Sequence, residues 1–158
     1  MYILHVFFSV DEIMASKVVL QSITVNRNFY NNKVLPMVFK KFAKKRGRRT
    51  VQGVMLHYDN TAPNRMKAIT NYLKEKCVTL LPHPPYSPDL APCDFFLFPK
   101  IKKELAGRHF DRVENLARAI KTITNNIEIR EYEKCFQDWQ TQLKRCIEFK
   151  GEYFEGMH

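Results

Sequence analysis

A proline-rich stretch limits the folds that this chain can adopt. Residues 80–96 read LLPHPPYSPDLAPCDFF and hold five of the chain's eight prolines. Proline has no backbone N–H to donate and breaks helix interiors, so the stretch predicts a stiff, extended path that leaves a β-strand. The path ends at Asp94, and such rigidity is useful when the residue at its end must be held in one place.

The sequence before this path alternates between strand and helix patterns. Residues 2–10 and 13–20 are rich in β-forming residues and are joined at Asp11-Glu12, which predicts an antiparallel hairpin. Asn26 would cap a helix that runs to about Lys45. Pro36 lies within that helix, so we expect it to kink the helix or move its start.

A βαβ unit follows, and the rest of the chain is helical. The apolar run at residues 53–58 predicts a buried parallel strand, a helix follows at 64–76, and residues 77–81 form the next strand. The helix that starts near Asp94 should end at Gly107. Two more helices are predicted from periodic apolar residues, the first capped by Asp111 and the second stopped by Gly151. Their apolar faces consist of Val113, Leu116, Ile120 and Ile123, and of Tyr132, Phe136, Trp139, Leu143 and Ile147.

This order of elements predicts an α/β fold, with a mixed sheet flanked by helices and a helical tail at about 111–150 packing on it. At 158 residues and 45% hydrophobic content, the chain suits one domain with a proper core. The apolar N-terminus lacks a basic segment and a cleavage site, which favours a strand over a signal peptide. No apolar run approaches the ~20 residues of a membrane helix. Four cysteines without paired spacing indicate reduced thiols in an intracellular protein.

The basic residues are concentrated in one segment. The formal net charge is +10, and eight Lys or Arg residues with no acidic residue lie between residues 33 and 50. Such a segment is typical of polyanion binding, although a solvated helix end or a nuclear-import signal fits the charge equally well. The candidate nucleic-acid-binding residues are Lys40, Lys41, Lys44, Lys45, Arg46, Arg48 and Arg49.

Two aspartates follow the predicted parallel strands. Asp59 comes directly after the first strand, and Asp94 ends the proline path after the second. Ligand-binding and catalytic residues of open α/β sheets lie at the ends of the strands. Two carboxylates at such a position can bind divalent cations between them, and these cations can promote phosphodiester cleavage. Mg²⁺ suits such oxygen ligands. The alternative is that each aspartate caps the helix after it.

These residues resemble the catalytic domain of mariner-type transposases, which are cut-and-paste DNA transposases with an RNase H-like fold. The resemblance rests on LHYDN at 56–60 and on LPHPPYSPDLAPCDFFLFPKIKKELAGRHF at 81–110, and it extends over nearly the whole chain. Residues 60–93 separate Asp59 from Asp94, which is the family's spacing of 34 residues between its second and third catalytic aspartates. The resemblance therefore implies that Asp59 and Asp94 are catalytic metal ligands for Mg²⁺ or Mn²⁺.

The family's first aspartate has no match in this chain. It lies in an Asp-Glu-Ser/Thr-Trp motif on a central first strand, whereas Asp11-Glu12 is followed by Ile13-Met14 and sits at the hairpin turn. We therefore expect an N-terminally truncated domain without that strand, and weak metal binding. The paired DNA-binding module and the loop that clamps the partner in the family's homodimer are also unmatched. Asn64 stands where the family usually has histidine.

Two functions remain open from the sequence. One is a metal-dependent DNA transposase or endonuclease, and the other is a relic or domesticated fragment that at most binds DNA in the nucleus. The missing aspartate favours lost activity. Some mariner-derived domains are fused to a histone-lysine methyltransferase, but the chain has no cofactor-binding glycine loop for methyl transfer. No membrane partner is expected.

Overall fold

The strands form two small sheets. The computed structural model describes residues 2–20, 30–47, 50–58 and 63–149. Strands β1 (Tyr2–Phe8) and β2 (Ile13–Leu20) pair antiparallel as the predicted hairpin. Strands β3 (Met55–His57) and β4 (Thr79–Leu81) pair parallel, as expected. Within the described ranges no strand joins β1 to β3, where the resembled fold has its central strand.

Two helices cover one side of the sheets. Helix α1 (Leu35–Lys45) follows a π-helical turn at Tyr30–Val34, and α2 is Pro63–Glu75. Pro36 lies in the first turn of α1, where its missing N–H is tolerated, so it sets the start of the α-helix as predicted. The Asn26 cap lies outside the described residues. This layer's core consists of Ala15, Val34, Leu35, Val38, Phe39, Val51, Ile69, Leu73 and Val78.

Three helices cover the other side. They are α3 (Phe98–Leu105), α4 (Val113–Asn125) and α5 (Ile129–Glu148). Their core contains Leu97, Ile101, Ile120, Ile123, Ile127 and Tyr132, against which Leu4, Val6 and Phe8 pack. Phe7 packs against the opposite core, so successive side chains of β1 point alternately into the two cores.

Helix α5 joins the two sheets into one layer. Its Phe136 ring lies 5.8 Å from that of Phe8 in β1, and its Trp139 ring lies 4.9 Å from that of His57 in β3. The hairpin and the parallel pair therefore lie between the same two helical layers. This architecture confirms the predicted α/β fold.

Three details of the helical part can be checked against the predictions. Asp111 is not the N-cap of α4, because Arg112 occupies that position and no side chain makes a capping hydrogen bond there. Ile147 was assigned to the buried face of α5 but is 77% exposed, since the buried residues of α5 all lie in its first half. Gly151 lies outside the described residues. No helix in the described part of the chain is long and apolar enough to cross a membrane.

Candidate functional site

Asp94 presents an unused carboxylate at the start of the helical part. It lies in a π-helical turn, Cys93–Leu97, that leads directly into α3. The N-cap residues of this turn and of α3 are Pro92 and Leu97, and neither end has a side-chain capping hydrogen bond. The side chain of Asp94 is exposed and has no hydrogen bond or ion pair to any described residue. Asp94 is therefore not a helix cap, which removes the alternative reading for this residue.

Buried neighbours fix the position of Asp94. Leu90 and Ala91 are buried before it, and the backbone N–H of Asp94 donates to the carbonyl of Ala91 at 2.8 Å. Leu97 is fully buried after it. Burial, and secondarily the charge of Asp94, raises the pKa of the Cys93 thiol to about 12, so this neighbour stays protonated at neutral pH. The carboxylate is the only anionic group that this turn offers to a ligand.

An ion pair ties the helix after Asp94 to helix α5. Lys100 of α3 donates to the carboxylate of Glu131 and lies 5.7 Å from the centre of the Phe96 ring. This hydrogen bond is the main reason why the pKa of Glu131 is lowered. The turn that carries Asp94 is thus held from both helices.

The strands that precede the two predicted metal ligands end side by side in the parallel pair. Asp59 follows the last residue of β3, His57, by two positions, and its own placement lies outside the described residues. In the parallel pair, His57 is opposite Leu81, the residue at which the proline path begins. Both segments therefore leave the sheet at the same edge. The close approach of Asp59 and Asp94 stays a prediction.

A histidine pair that the sequence analysis missed links these two segments. The Nε2 atom of His57 lies 3.1 Å from the Nδ1 atom of His83, and His83 is buried. The histidines are 26 positions apart in sequence, with no motif to connect them. Within the described ranges, no group of three or more His, Cys, Asp or Glu side chains could hold a metal ion.

The basic segment divides into free and paired residues. Lys40, Lys41 and Lys44 are exposed and form no ion pair with any residue that the structure describes. Lys45 instead pairs with Glu12 and donates to the carbonyl of Ile13 at 2.7 Å, and Arg46 pairs with Asp11 at 3.0 Å. Arg48 and Arg49 lie outside the described residues.

Two of the free lysines lie near the residues that come before β3 in the chain. Lys40 and Lys44 line a groove together with residues 50–52 and Cys77, which precede β3 and β4. Asp59 instead follows the end of β3.

Comparisons with known proteins agree with this architecture. The chain is 27% identical over 104 residues to the Homo sapiens protein named Histone-lysine N-methyltransferase SETMAR, a match that covers 66% of this chain and 15% of that protein. It is 28% identical over 102 residues to the Mariner Mos1 transposase of Drosophila mauritiana, covering 65% of this chain and 30% of that protein. The matches thus span less than a third of either relative. No protein-family profile matches the chain.

Solved structures show the fold. A Mos1 mariner paired end complex with Mn has a TM-score of 0.85 at 24% identity, covering 96% of this chain and 44% of that chain. The Mos1 transposase catalytic domain with Raltegravir and Mg has a TM-score of 0.82 at 24% identity, covering 96% of this chain and 76% of that one. The fold therefore defines the class: this is an RNase H-like domain. Together with the two sequence relatives, it confirms the resemblance to the mariner transposase catalytic domain.

Proposed function

We propose that this chain is a portion of a mariner-type DNA-transposition domain that binds DNA through the exposed lysines of α1 and acts in the nucleus. The observation that carries the proposal is the set of free cations at Lys40, Lys41 and Lys44 on a fold whose solved neighbour holds paired transposon ends. Lysines that neutralise phosphates release counterions, so this binding is sensitive to salt and indifferent to sequence.

The ion pairs of Lys45 and Arg46 give the proposal a sharp test. These two residues are engaged by the hairpin turn, so their replacement should affect stability more than DNA affinity. Three double variants each remove two positive charges: Lys40→Ala/Lys44→Ala, Lys45→Ala/Arg46→Ala, and Lys102→Ala/Lys103→Ala on α3. Fluorescence anisotropy with several duplex sequences, each over a series of salt concentrations, measures their affinities.

We expect Lys40→Ala/Lys44→Ala to weaken binding to all duplexes about equally and to reduce the salt slope by about one to two. The α3 variant, whose lysines are also exposed, controls for the change in net charge. Affinity that survives high salt, or that depends strongly on duplex sequence, would show a different mode of binding. Equal losses in the α1 and α3 variants would remove the assignment to α1.

Asp59 and Asp94 are proposed as ligands of Mg²⁺ or Mn²⁺. The exposed and unpartnered carboxylate of Asp94 has the oxygen donors that these ions prefer, and solved neighbours hold Mn or Mg. When bound, such ions activate the attacking oxygen and stabilise the leaving oxygen of a phosphodiester. The protein's contribution is to fix Asp94 through the buried Leu90 and Ala91 before it and the Lys100–Glu131 pair after it.

We propose that this polypeptide does not itself cleave DNA. Its sequence contains no Asp-Glu-Ser/Thr-Trp motif, and Trp139 is the only tryptophan. Two carboxylates without a third repel each other and leave coordination positions to water, so the metal is held weakly. A relic or domesticated DNA-binding fragment is therefore the second candidate, and it shares the DNA-binding part of the proposal. The name of the human relative describes methyl transfer, but this sequence contains no cofactor-binding glycine loop for that reaction.

A further inference from the structure

Tyr86 is the most exposed large hydrophobic side chain of the described residues. It is 103% exposed, and it makes no hydrogen bond, ring contact or cation contact with any of them. It lies between the end of β4 and Asp94, eight positions before the aspartate. Both faces of its ring are therefore open to a ligand.

The backbone of Tyr86 is strained, and the turn that carries it is stiff. Tyr86 has a φ of +55°, in the left-handed region that favours glycine and is unfavourable for a bulky residue. Prolines at 84, 85 and 88 stiffen the turn, and the Ser87 hydroxyl donates to the carbonyl of Pro85 at 3.1 Å. Buried residues on each side, His83 and Leu90, anchor its ends. A strained, solvent-exposed aromatic residue on a rigid turn is the kind of outlier that indicates a binding role.

We propose that Tyr86 stacks on an unpaired nucleobase of the DNA. This inference rests on the proposed function, because it requires that the protein binds DNA. Bases within a duplex are covered by their neighbours, whereas an unpaired base has a free face that an aromatic ring can cover. Because the turn is already rigid, little backbone conformational entropy is lost when the ring binds.

The backbone disfavours a protein partner at this position. Domains that recognise proline-rich segments bind a continuous polyproline II helix, in which φ is close to −75°. The left-handed φ of Tyr86 interrupts that helix between Pro85 and Pro88. A 3₁₀-helical turn follows at Pro88–Leu90, so the segment does not offer an unbroken polyproline surface.

Three variants separate stacking from folding. Tyr86→Phe keeps the ring, Tyr86→Leu keeps an apolar side chain without it, and Tyr86→Gly also relieves the left-handed strain. The affinities of each for a single-stranded oligothymidine and for a blunt duplex are measured by fluorescence anisotropy over a series of salt concentrations. Urea unfolding of each variant reports its stability.

We expect Tyr86→Phe to bind like the unsubstituted chain. Tyr86→Leu and Tyr86→Gly should lose about 5- to 100-fold in affinity for the oligothymidine and much less for the blunt duplex. The salt slope should not change, because no phosphate contact is removed. Tyr86→Gly should unfold at a higher urea concentration than the unsubstituted chain, so that its weaker binding cannot come from misfolding.

The remaining outcomes are decisive in different ways. Equal oligothymidine affinities in all variants would overturn the stacking proposal and would favour a protein partner for Tyr86 instead. If the duplex still binds in that case, the proposed function stands. Oligothymidine binding that depends on Tyr86, without duplex binding, would overturn the proposed function but support stacking. Failure of the unsubstituted chain to bind either DNA would overturn both.

Discussion

The Nε2 atom of His57 and the Nδ1 atom of His83 lie 3.1 Å apart, so a hydrogen bond joins the end of β3 to the proline path. One ring nitrogen donates and the other accepts, and the tautomers of the two rings determine which nitrogen is the donor. Trp139 of α5 packs on the same His57 ring. The pair therefore fixes the segments that lead to Asp59 and Asp94 relative to each other and to α5.

Replacing His83 should destabilise the fold. His83 is buried, so His83→Ala removes a hydrogen bond and leaves a cavity, at a cost of about 2–3 kcal/mol. Urea unfolding measures the loss, and His109→Ala, at an exposed position, is the control with an expected change within about 0.5 kcal/mol. Equal stability of the two variants would show that the histidine pair does not hold the path.

Buried thiols should make the fold sensitive to alkali. Burial raises the pKa of Cys93 and of Cys135 to about 12, from an ordinary value of 9.0. Because the folded-state pKa lies above the unfolded one, this stability is complete below pH 9 and is lost as the pH rises towards 12. The loss should be on the order of 2 kcal/mol per thiol at pH 11.

Urea unfolding at pH 8, 9.5 and 11 checks this dependence. Cys93→Ala/Cys135→Ala should lose less stability between pH 8 and 11 than the unsubstituted chain. The exposed Cys77 is the matched control, and Cys77→Ala should keep the full dependence. Parallel pH profiles for both variants would contradict the prediction.

The Lys100–Glu131 pair should give a small acid dependence. The hydrogen bond from Lys100 lowers the pKa of Glu131, so its stability is present above the unfolded value of about 4.5 and is lost as the pH falls through the folded value. The side chains are 33% and 36% exposed, so Glu131→Gln should cost at most about 1 kcal/mol at pH 7. That difference should vanish near pH 2.

Glu131 has a second role that a matched variant separates. Its Oε1 atom accepts the backbone N–H of Glu128 at 3.2 Å as part of the capping box of α5. Glutamine keeps this acceptor and alanine does not, so Glu131→Ala should cost about 1 kcal/mol more at every pH. Chemical unfolding of both variants at pH 2 and 7 measures the two contributions. Equal losses in both variants would show that the cap contributes nothing.

The architecture was predictable because its signals are local. The β-rich runs on each side of Asp11-Glu12 form the hairpin, and Pro36 marks the start of α1. Caps were less predictable: Asp111 has a suitable side chain, but the backbone turns into the helix at Arg112. The exposure of Ile147 depends on how far the core extends along α5, which periodicity does not report.

The site was predictable only in part. Spacing and resemblance indicated Asp94, and its free carboxylate agrees with the predicted role. Charge indicated the basic segment but did not reveal that Lys45 and Arg46 are engaged by Glu12 and Asp11, since those contacts join residues more than 30 positions apart. The His57–His83 pair was missed because its residues are 26 positions apart and no motif connects them.

Metal binding should depend on both aspartates and be weak. Isothermal titration with Mg²⁺ or Mn²⁺ should give weak binding that Asp59→Asn and Asp94→Asn reduce alike, because we propose that both carboxylates hold the same ions. Asp89→Asn, in the turn before Asp94, is the matched control and should not change the titration. Tight stoichiometric binding, or loss in the control variant, would count against the shared site.

Incubation of the purified 158-residue polypeptide with supercoiled plasmid tests the central claim most directly. A mariner-type site needs three carboxylates, and misplacing a group by ~1 Å can cost ~10²-fold in rate. We predict that the plasmid is bound and shifted at low salt but is neither nicked nor joined in Mg²⁺ or Mn²⁺. Nicking that Asp94→Ala abolishes would contradict it, because Asp59 and Asp94 would then suffice for cleavage.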